Sequence, residues 1–210
     1  MNRVLSCCCA PANRCWLCVQ KRLVALGFVT LALLSQGAFD PAQAGNCPSN
    51  GNPKTSLDLK VESVSGDRLD LSRYEGIQAL ILTNSQTRSQ SEALSKSLAL
   101  EFGQNPRLRQ IVLVDGRGLL LVRHLVLQAI RESVPTDPRL VSPFVYVSVD
   151  FEGATIQKLQ EIAAAALPGI NFRRQAVLLL LDGQGTLLSG FADLEQSNLS
   201  IRRCIRTLMG

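Results

Sequence analysis

Three aspartates end apolar runs of this 210-residue chain, at positions where carboxylates could do chemistry: Asp115, Asp150 and Asp182. If the runs are parallel strands, two of these carboxylates could meet at one sheet edge and bind a divalent cation. Asp-Gly and Asp-x-x-Gly are also turn sequences, in which the carboxylate accepts hydrogen bonds from nearby backbone amides. We expect the turn role at Asp182. Asp115 and Asp150 are retained as a candidate pair of strand-end carboxylates.

The only histidine, His124, has no partners in the sequence that would make it catalytic. Nucleophilic catalysis needs a histidine beside a serine or cysteine, with a carboxylate to orient it. No G-x-S-x-G motif is present, and Ser189-Gly190 falls in a predicted hairpin. His124 is expected to be a partly exposed helix residue. The sequence therefore predicts no catalytic residue, no metal-ligand set and no cofactor.

The segment 83–91 is the best candidate for a ligand loop. Its hydroxyls, together with Arg88 and the backbone amides of the helix that follows, could bind an anion. Thr87, Arg88 and Ser89 are the candidate residues. The alternative is a solvated loop in which Ser89 or Ser91 caps the helix. The glycine-rich segments 115–118 and 182–185 lack the Lys-Ser/Thr of a P-loop and the third glycine of a dinucleotide fingerprint.

The first 44 residues have the three parts of a secretory signal peptide. Lys21-Arg22 precedes the apolar run 23–34, and Ala42-Gln43-Ala44 supplies the small residues of a cleavage site. The run is shorter than the roughly 20 residues that a membrane span needs. We expect cleavage after Ala44, a flexible lead over 45–55, and a periplasmic or secreted domain with no membrane span.

Removal of the leader changes both the charge and the cysteine count. Of 22 basic and 17 acidic residues, four and one precede residue 45, which leaves 18 and 16 and a net charge of +2. This balance does not predict nucleic-acid binding. Five cysteines lie in the leader, and Cys47 and Cys204 remain. An even pair in an oxidising compartment could form a disulfide, although Cys204 also suits the apolar face of a helix.

Alternating β and α patterns organise the remaining chain. Residues 57–65 and 68–72 alternate apolar and polar positions around Gly66-Asp67, which predicts a β-hairpin. Helical crossovers between apolar strands require a largely parallel sheet, and a terminal hairpin makes it mixed. The sequence thus predicts an α/β domain over 56–210. The predicted strands are 79–83, 110–114, 144–149, 176–181 and 186–191, and the predicted helices are 92–102, 119–134, 156–167 and 193–209.

Three segments carry a resemblance to a known superfamily. The run 67–76 (DRLDLSRYEG), followed by a buried strand, resembles the entry of redoxin domains in the thioredoxin-like superfamily. The strand end Ser148-Val-Asp150 and the run 179–185 resemble the same domains. The resemblance implies a thioredoxin-like mixed sheet flanked by helices over about residues 57–208. Within the superfamily the chain is most similar to the periplasmic YtfJ-type group, from which no activity carries over.

The departures from the redoxin pattern concern its reactive positions. The resemblance implies a reactive cysteine in the loop or helix start after the first core strand, yet 83–91 contains none. Gln175-Ala176 stands near the place of the usual cis-proline. Thiol exchange requires a thiolate of lowered pKa at a helix N-terminus. We therefore expect an exported, non-catalytic binding or accessory protein whose partner is unknown and could be another envelope protein. The alternative is a metal- or phosphate-binding enzyme that uses Asp115 and Asp150.

Overall fold

The computed structural model describes Cys47, residues 56–133, Asp137 and residues 139–210. The predicted signal peptide and its cleavage site lie outside these residues, as does the lead apart from Cys47. Residues Ala44–Gly210 form one compact unit. None of the described helices is long and apolar enough to cross a membrane.

Every predicted strand and helix of the domain is present, with shifted ends. The largest shifts are of four residues: the first helix begins at Arg88 rather than at residue 92, and the second begins at Arg123 rather than at residue 119. The elements are β1 (Lys60–Glu62), β2 (Arg68–Asp70), β3 (Ile77–Thr83), α1 (Arg88–Phe102), β4 (Leu108–Asp115), a 3-10 turn (Leu120–Val122), α2 (Arg123–Glu132), β5 (Val145–Asp150), α3 (Ala154–Ala166), β6 (Val177–Leu181), β7 (Leu187–Ala192) and α4 (Leu194–Met209).

The central sheet has five strands in the order β5-β4-β3-β6-β7. Strands β3, β4 and β5 are parallel, whereas β6 runs antiparallel to β3 and β7 antiparallel to β6. Parallel neighbours need crossovers, and the helical segments between the strands supply them. The predicted mixed α/β sheet is therefore confirmed. Its register places Asp115 of β4 directly opposite Asp150 of β5.

Two apolar cores cover the two faces of the sheet. Successive strand residues point to opposite faces, so Ala79 and Ile81 of β3 enter one core and Leu80 and Leu82 the other. Helices α1 and α4 cover the first face through Leu94, Leu98, Ile201 and Ile205, among others. Helix α3 and the β1–β2 hairpin cover the second face through Ile156, Leu159, Val61 and Leu69, among others. Strand β6 contributes to both cores, which explains its unbroken apolar sequence.

The N-terminal hairpin is confirmed as a separate two-stranded sheet, and backbone hydrogen bonds on both sides of β1 help to join it to the central sheet. The Leu57 amide donates to the Gly185 carbonyl (2.9 Å), and the Val64 amide donates to the Val147 carbonyl (2.7 Å). Gly185 has φ +74°, and a Cβ there would lie 2.8 Å from the Leu57 carbonyl oxygen. A side chain at this position would therefore separate the hairpin from the β6–β7 turn.

Helix α2 does not bury its apolar face. Residues 122, 125, 126, 129 and 130 share one face as predicted, yet no residue of the helix is buried. Leu125 is 54% exposed, and Leu121 in the preceding 3-10 turn is 95% exposed. An amphipathic helix normally buries this face. Here the contacts with the domain are made by Arg123, which lies over the Phe151 ring, and Arg131, which donates to the Val64 carbonyl.

Candidate binding site

The loop between β3 and α1 is closed by its own hydrogen bonds. Thr87 is fully buried. Its hydroxyl lies 3.1 Å from that of Thr83 and accepts from the Asn84 amide (3.0 Å). The Asn84 side-chain carbonyl accepts from the amides of Gln86 (2.8 Å) and Thr87 (3.1 Å). These bonds pair the amides of residues 84, 86 and 87, which precede the helix, with side chains of the loop itself.

The three candidate ligand residues of this loop have different environments. The Thr87 hydroxyl is occupied inside the protein, so it is not presented to solvent. Arg88 is exposed and forms an ion pair with Glu92 (2.5 Å), one turn along the helix. Ser89 is exposed. Helix α1 begins with Thr87 at its N-cap, without a side-chain cap bond, so neither Ser89 nor Ser91 has the predicted capping role.

Gln90 joins the start of α1 to the loop that precedes β6. Its side-chain carbonyl accepts from the Ala176 amide (3.0 Å), and its side-chain nitrogen donates to the Arg174 carbonyl (3.2 Å). Asn84 donates to the Phe172 carbonyl in the same loop (2.7 Å). The backbone groups of this loop that face α1 are thus paired within the chain. They are closed to an incoming peptide strand unless these side chains move.

A cleft of about 480 Å³ lies beside this junction. It is lined by Asn84, Asp115, Arg117, Gln160 and the loop 169–173. Asn84 and Asp115 mark the carboxyl ends of β3 and β4, which is where ligands bind in open α/β sheets. The lining is mainly polar and includes the guanidinium groups of Arg117 and Arg173. This composition suits a polar or acidic group rather than an apolar ligand.

Asp115 is held by Arg117, two residues along the chain. The Arg117 Nη2 lies 2.6 Å from the Asp115 Oδ2, and Nε lies 2.9 Å from Oδ1. Burial raises the pKa of Asp115, but the hydrogen bonds and the charge of Arg117 outweigh this effect and leave the pKa below its ordinary value. The carboxylate is therefore ionised at neutral pH and oriented by a bidentate contact.

Asp150, in register with Asp115, caps a helix. Its Oδ1 accepts from the Gly153 amide and its Oδ2 from the Ile156 amide, both at 2.8 Å. These amides begin α3, where unpaired donors and the helix dipole favour a carboxylate. The register brings the two backbones to neighbouring-strand distance, yet each carboxylate has its own partners. Within the described part of the chain, no three His, Cys, Asp or Glu residues are grouped so as to hold a metal ion.

The other singled-out residues have the roles expected from the sequence. The Asp182 carboxylate accepts from the amides of Gln184 (2.9 Å) and Thr186 (2.7 Å), which is the predicted turn role. His124 lies exposed on α2. Cys47 and Cys204 form a disulfide with a Cα–Cα distance of 4.8 Å. Cys204 is also buried in the core beneath α4, so both interpretations of this residue hold together.

Sequence reasoning missed a buried polar cluster at the other end of the sheet. Arg109 donates to the Gln78 side-chain carbonyl and to the Asp70 carbonyl (2.7 Å), and it lies 4.4 Å from the Tyr74 ring centroid. Gln78 in turn donates to the carbonyls of Leu71 (2.7 Å) and Asp182 (3.0 Å). Burial lowers the pKa of the Arg109 guanidinium. The only hint in the sequence was a polar residue just before each of two predicted apolar strands. Gln78 precedes the predicted strand 79–83 and Arg109 precedes 110–114, whereas in the structure both residues lie within the strands.

A larger open groove, of about 980 Å³, lies near this cluster. It is lined by Ser56, Gln184 and the residues that precede β3 and β4, from Ser72 to Glu75 and at 106–107. These residues stand at the amino ends of the parallel strands. In open α/β sheets ligands bind at the carboxyl ends. We therefore take the smaller cleft as the candidate site.

No family model and no curated protein matches this chain. Solved structures do. A protein from Chlorobium tepidum, described as the thiol:disulfide interchange protein DsbE, shares 15% identity with a TM-score of 0.51, over 75% of this chain and 97% of its own. A protein from Bacteroides vulgatus, described as a thiol-disulfide oxidoreductase, shares 13% identity with a TM-score of 0.49, over 76% and 91%. On the match to the Chlorobium tepidum protein, the chain has a thioredoxin-like fold, as the resemblance in its sequence implied.

Proposed function

We propose that this protein is an exported, non-catalytic binding or accessory protein built on the thioredoxin-like fold. The observation that carries the proposal is the state of its cysteines. The loop 83–91 contains none, and the two cysteines that follow residue 44 are bonded to each other. Thiol-disulfide exchange needs an accessible thiolate, and Cys204 is almost completely buried.

The environment at the start of α1 supports the same proposal. A hydroxyl in place of the missing thiol would have to be exposed and activated by a base. The Thr87 hydroxyl is buried and paired with Thr83 and Asn84, and Ser89 and Ser91 have neither a histidine nor a carboxylate as a hydrogen-bond partner among the described contacts. This region fits a structural junction better than a reaction centre.

The binding role is assigned to the cleft. Arg117 is half-exposed there, and Arg173 also lines the cleft. Together they could recognise a carboxylate or another acidic group, for example on a segment of another envelope protein. Export by a signal peptide cleaved after Ala44, a short lead over 45–55, and a domain over 56–210 are part of the proposal. So is kinship with the periplasmic YtfJ-type group within the superfamily.

The proposal is tested by a comparison with a thiol-free variant. The unit 45–210 and its Cys47→Ser/Cys204→Ser variant are assayed side by side for reduction of insulin by dithiothreitol and for reduction of hydrogen peroxide. We expect the same background rate for both proteins. A rate for the unaltered protein that clearly exceeds that of the variant would show that the disulfide cycles, and it would remove the non-catalytic assignment.

A divalent-cation or phosphate site at Asp115 and Asp150 is the second proposal. The register of β4 and β5 favours it, since the two residues lie opposite each other. Against it, both carboxylates would have to leave the partners that they now hold. It predicts that Mg²⁺ or Ca²⁺ raises the melting temperature of the unaltered protein and not that of Asp115→Asn. Equal melting curves with and without the ions would exclude it.

A further inference from the structure

We propose that the 3-10 turn and helix α2 form a membrane-binding tip that inserts into the surface of an anionic phospholipid bilayer. The tip comprises residues 119–130. This inference does not depend on the proposed binding role of the cleft. It rests on the exposure of the tip, on its charge and on the way in which α2 is attached to the domain.

Exposed leucines are concentrated at the tip. Leu121 is 95% exposed and Leu120 57%, and Leu119, Val122 and Leu125 are exposed as well. Five of the eight exposed large apolar residues of the described chain thus belong to seven consecutive positions. Exposed apolar side chains are ordinary when they occur singly, whereas a contiguous group marks an interaction site. The exposure of Leu121 shows that it projects from the domain instead of lining a groove.

Polar contacts fix the inner side of α2 and leave its apolar residues outside. Arg123 stacks over the Phe151 ring at 5.2 Å, and Arg131 donates to the Val64 carbonyl (3.0 Å). The apolar positions of the helix, which would be expected to enter the core, are left partly or fully exposed. The helix is therefore attached to the domain while Leu125 and the leucines of the preceding turn stay in solvent, although Val126 and Ile130 are half-buried.

The charge of the segment complements an anionic surface. From Gly118 to Arg131 the chain carries Arg123 and Arg131, which are both exposed, and contains no aspartate or glutamate, whereas Arg117 just before it is paired with Asp115. The first acidic residue beyond is Glu132, which accepts from Gln128. Leucines at the tip with arginines at its base match the arrangement of helices that lie in the membrane interface. Arg123 and Arg131 remain exposed beside the contacts that they make with Phe151 and Val64, so their outer sides can meet headgroup phosphates while the leucines enter the acyl boundary.

The length of the segment supports surface binding rather than a span. Helix α2 has 10 residues, which correspond to about 15 Å. The hydrocarbon core of a bilayer is about 30 Å thick. A tip of this size can enter one headgroup layer only, so that the domain would bind reversibly.

The experiment is vesicle sedimentation with matched leucine variants. The unit 45–210 is incubated with vesicles of phosphatidylcholine alone and with vesicles containing one quarter phosphatidylglycerol, at low salt and at 0.5 M NaCl. The variant Leu120→Ser/Leu121→Ser alters the tip. The control variant Leu100→Ser/Leu199→Ser alters two leucines of similar exposure, 58% and 59%, on α1 and α4.

We expect binding to the anionic vesicles at low salt and a loss of about tenfold or more for the tip variant, because two leucines would no longer leave water. The control variant should bind like the unaltered protein, and salt should weaken binding. No binding of the unaltered protein, or an equal loss in both variants, would overturn the proposal. So would concentration-dependent dimerisation that the tip variant abolishes without any vesicle binding, since the tip would then bind a second copy.

Discussion

The Gln90 side chain holds the backbone of Ala176 as a neighbouring peptide strand would. Its carbonyl accepts from the Ala176 amide at 3.0 Å while its nitrogen donates to the Arg174 carbonyl at 3.2 Å. Ala176 is fully buried, so its amide depends on this bond. One glutamine thereby connects the first turn of α1 to the loop before β6.

Replacement of Gln90 by alanine should destabilise the domain by about 1–2 kcal/mol, because a buried amide and a carbonyl lose their partner. Urea unfolding measures the change. Gln86→Ala is the matched control, since Gln86 is an exposed glutamine of the same loop, and it should leave the stability within about 0.5 kcal/mol. If the two variants were equally stable, the junction would contribute nothing to the fold.

Loss of the disulfide should lower the free energy of unfolding strongly. The bond joins residues 157 positions apart, and in the chain-entropy model a loop of this length corresponds to about 5 kcal/mol. Reduction of the native protein and the Cys47→Ser variant should give similar losses in urea unfolding. Cys204→Ser should lose more, because it also places a hydroxyl in the core beneath α4. Equal losses for the two serine variants would contradict this assignment.

The Gln78–Arg109 pair should behave as a coupled unit. Gln78→Leu removes the partner of Arg109 and of two backbone carbonyls, which should cost about 2–4 kcal/mol. Addition of Arg109→Met removes the unpaired charge, so the double variant should be more stable than Gln78→Leu alone. A double-mutant cycle measured by urea unfolding gives the coupling. Additive losses would show that the two side chains act independently.

Asp115 should make the stability depend on pH in the acid range. Its pKa in the folded protein lies below the ordinary value, so folding favours the ionised carboxylate. Its contribution is present above about pH 4, the ordinary pKa of aspartate in an unfolded chain, and is lost as the pH falls below it. Asp115→Asn should therefore be less stable than the native protein at pH 7, by under about 1 kcal/mol because Arg117 is half-exposed. The difference should disappear at low pH.

A second aspartate provides the control for this measurement. Asp137 forms the same bidentate contact with Arg139, two residues further along the chain, but at a more exposed position. Asp137→Asn should change the stability less than Asp115→Asn does at pH 7. A larger effect at Asp137 would show that burial of Asp115 does not strengthen its contact with Arg117.

The sequence alone determined the order of the elements and the lack of a cysteine in the segment 83–91. The alternation of apolar runs with helical periodicity predicted each strand and helix because burial of one face imposes a period of 2 or 3.6 residues. The terminal hairpin predicted the mixed sheet. The absence of cysteine from 83–91 is a property of composition and needed no coordinates. The turn role of Asp182 followed from local sequence, since its partners are two and four residues away.

Only the tertiary structure decided which polar side chains face one another. Gln90 and Ala176 are 86 positions apart, and Gln78 and Arg109 are 31 apart; no local pattern encodes such contacts. Helix α2 illustrates the same limit. Its apolar periodicity predicted the helix, but periodicity gives the direction of a face and not what covers it. Whether that face enters a core depends on the elements packed against it, and here they leave it half-buried or exposed.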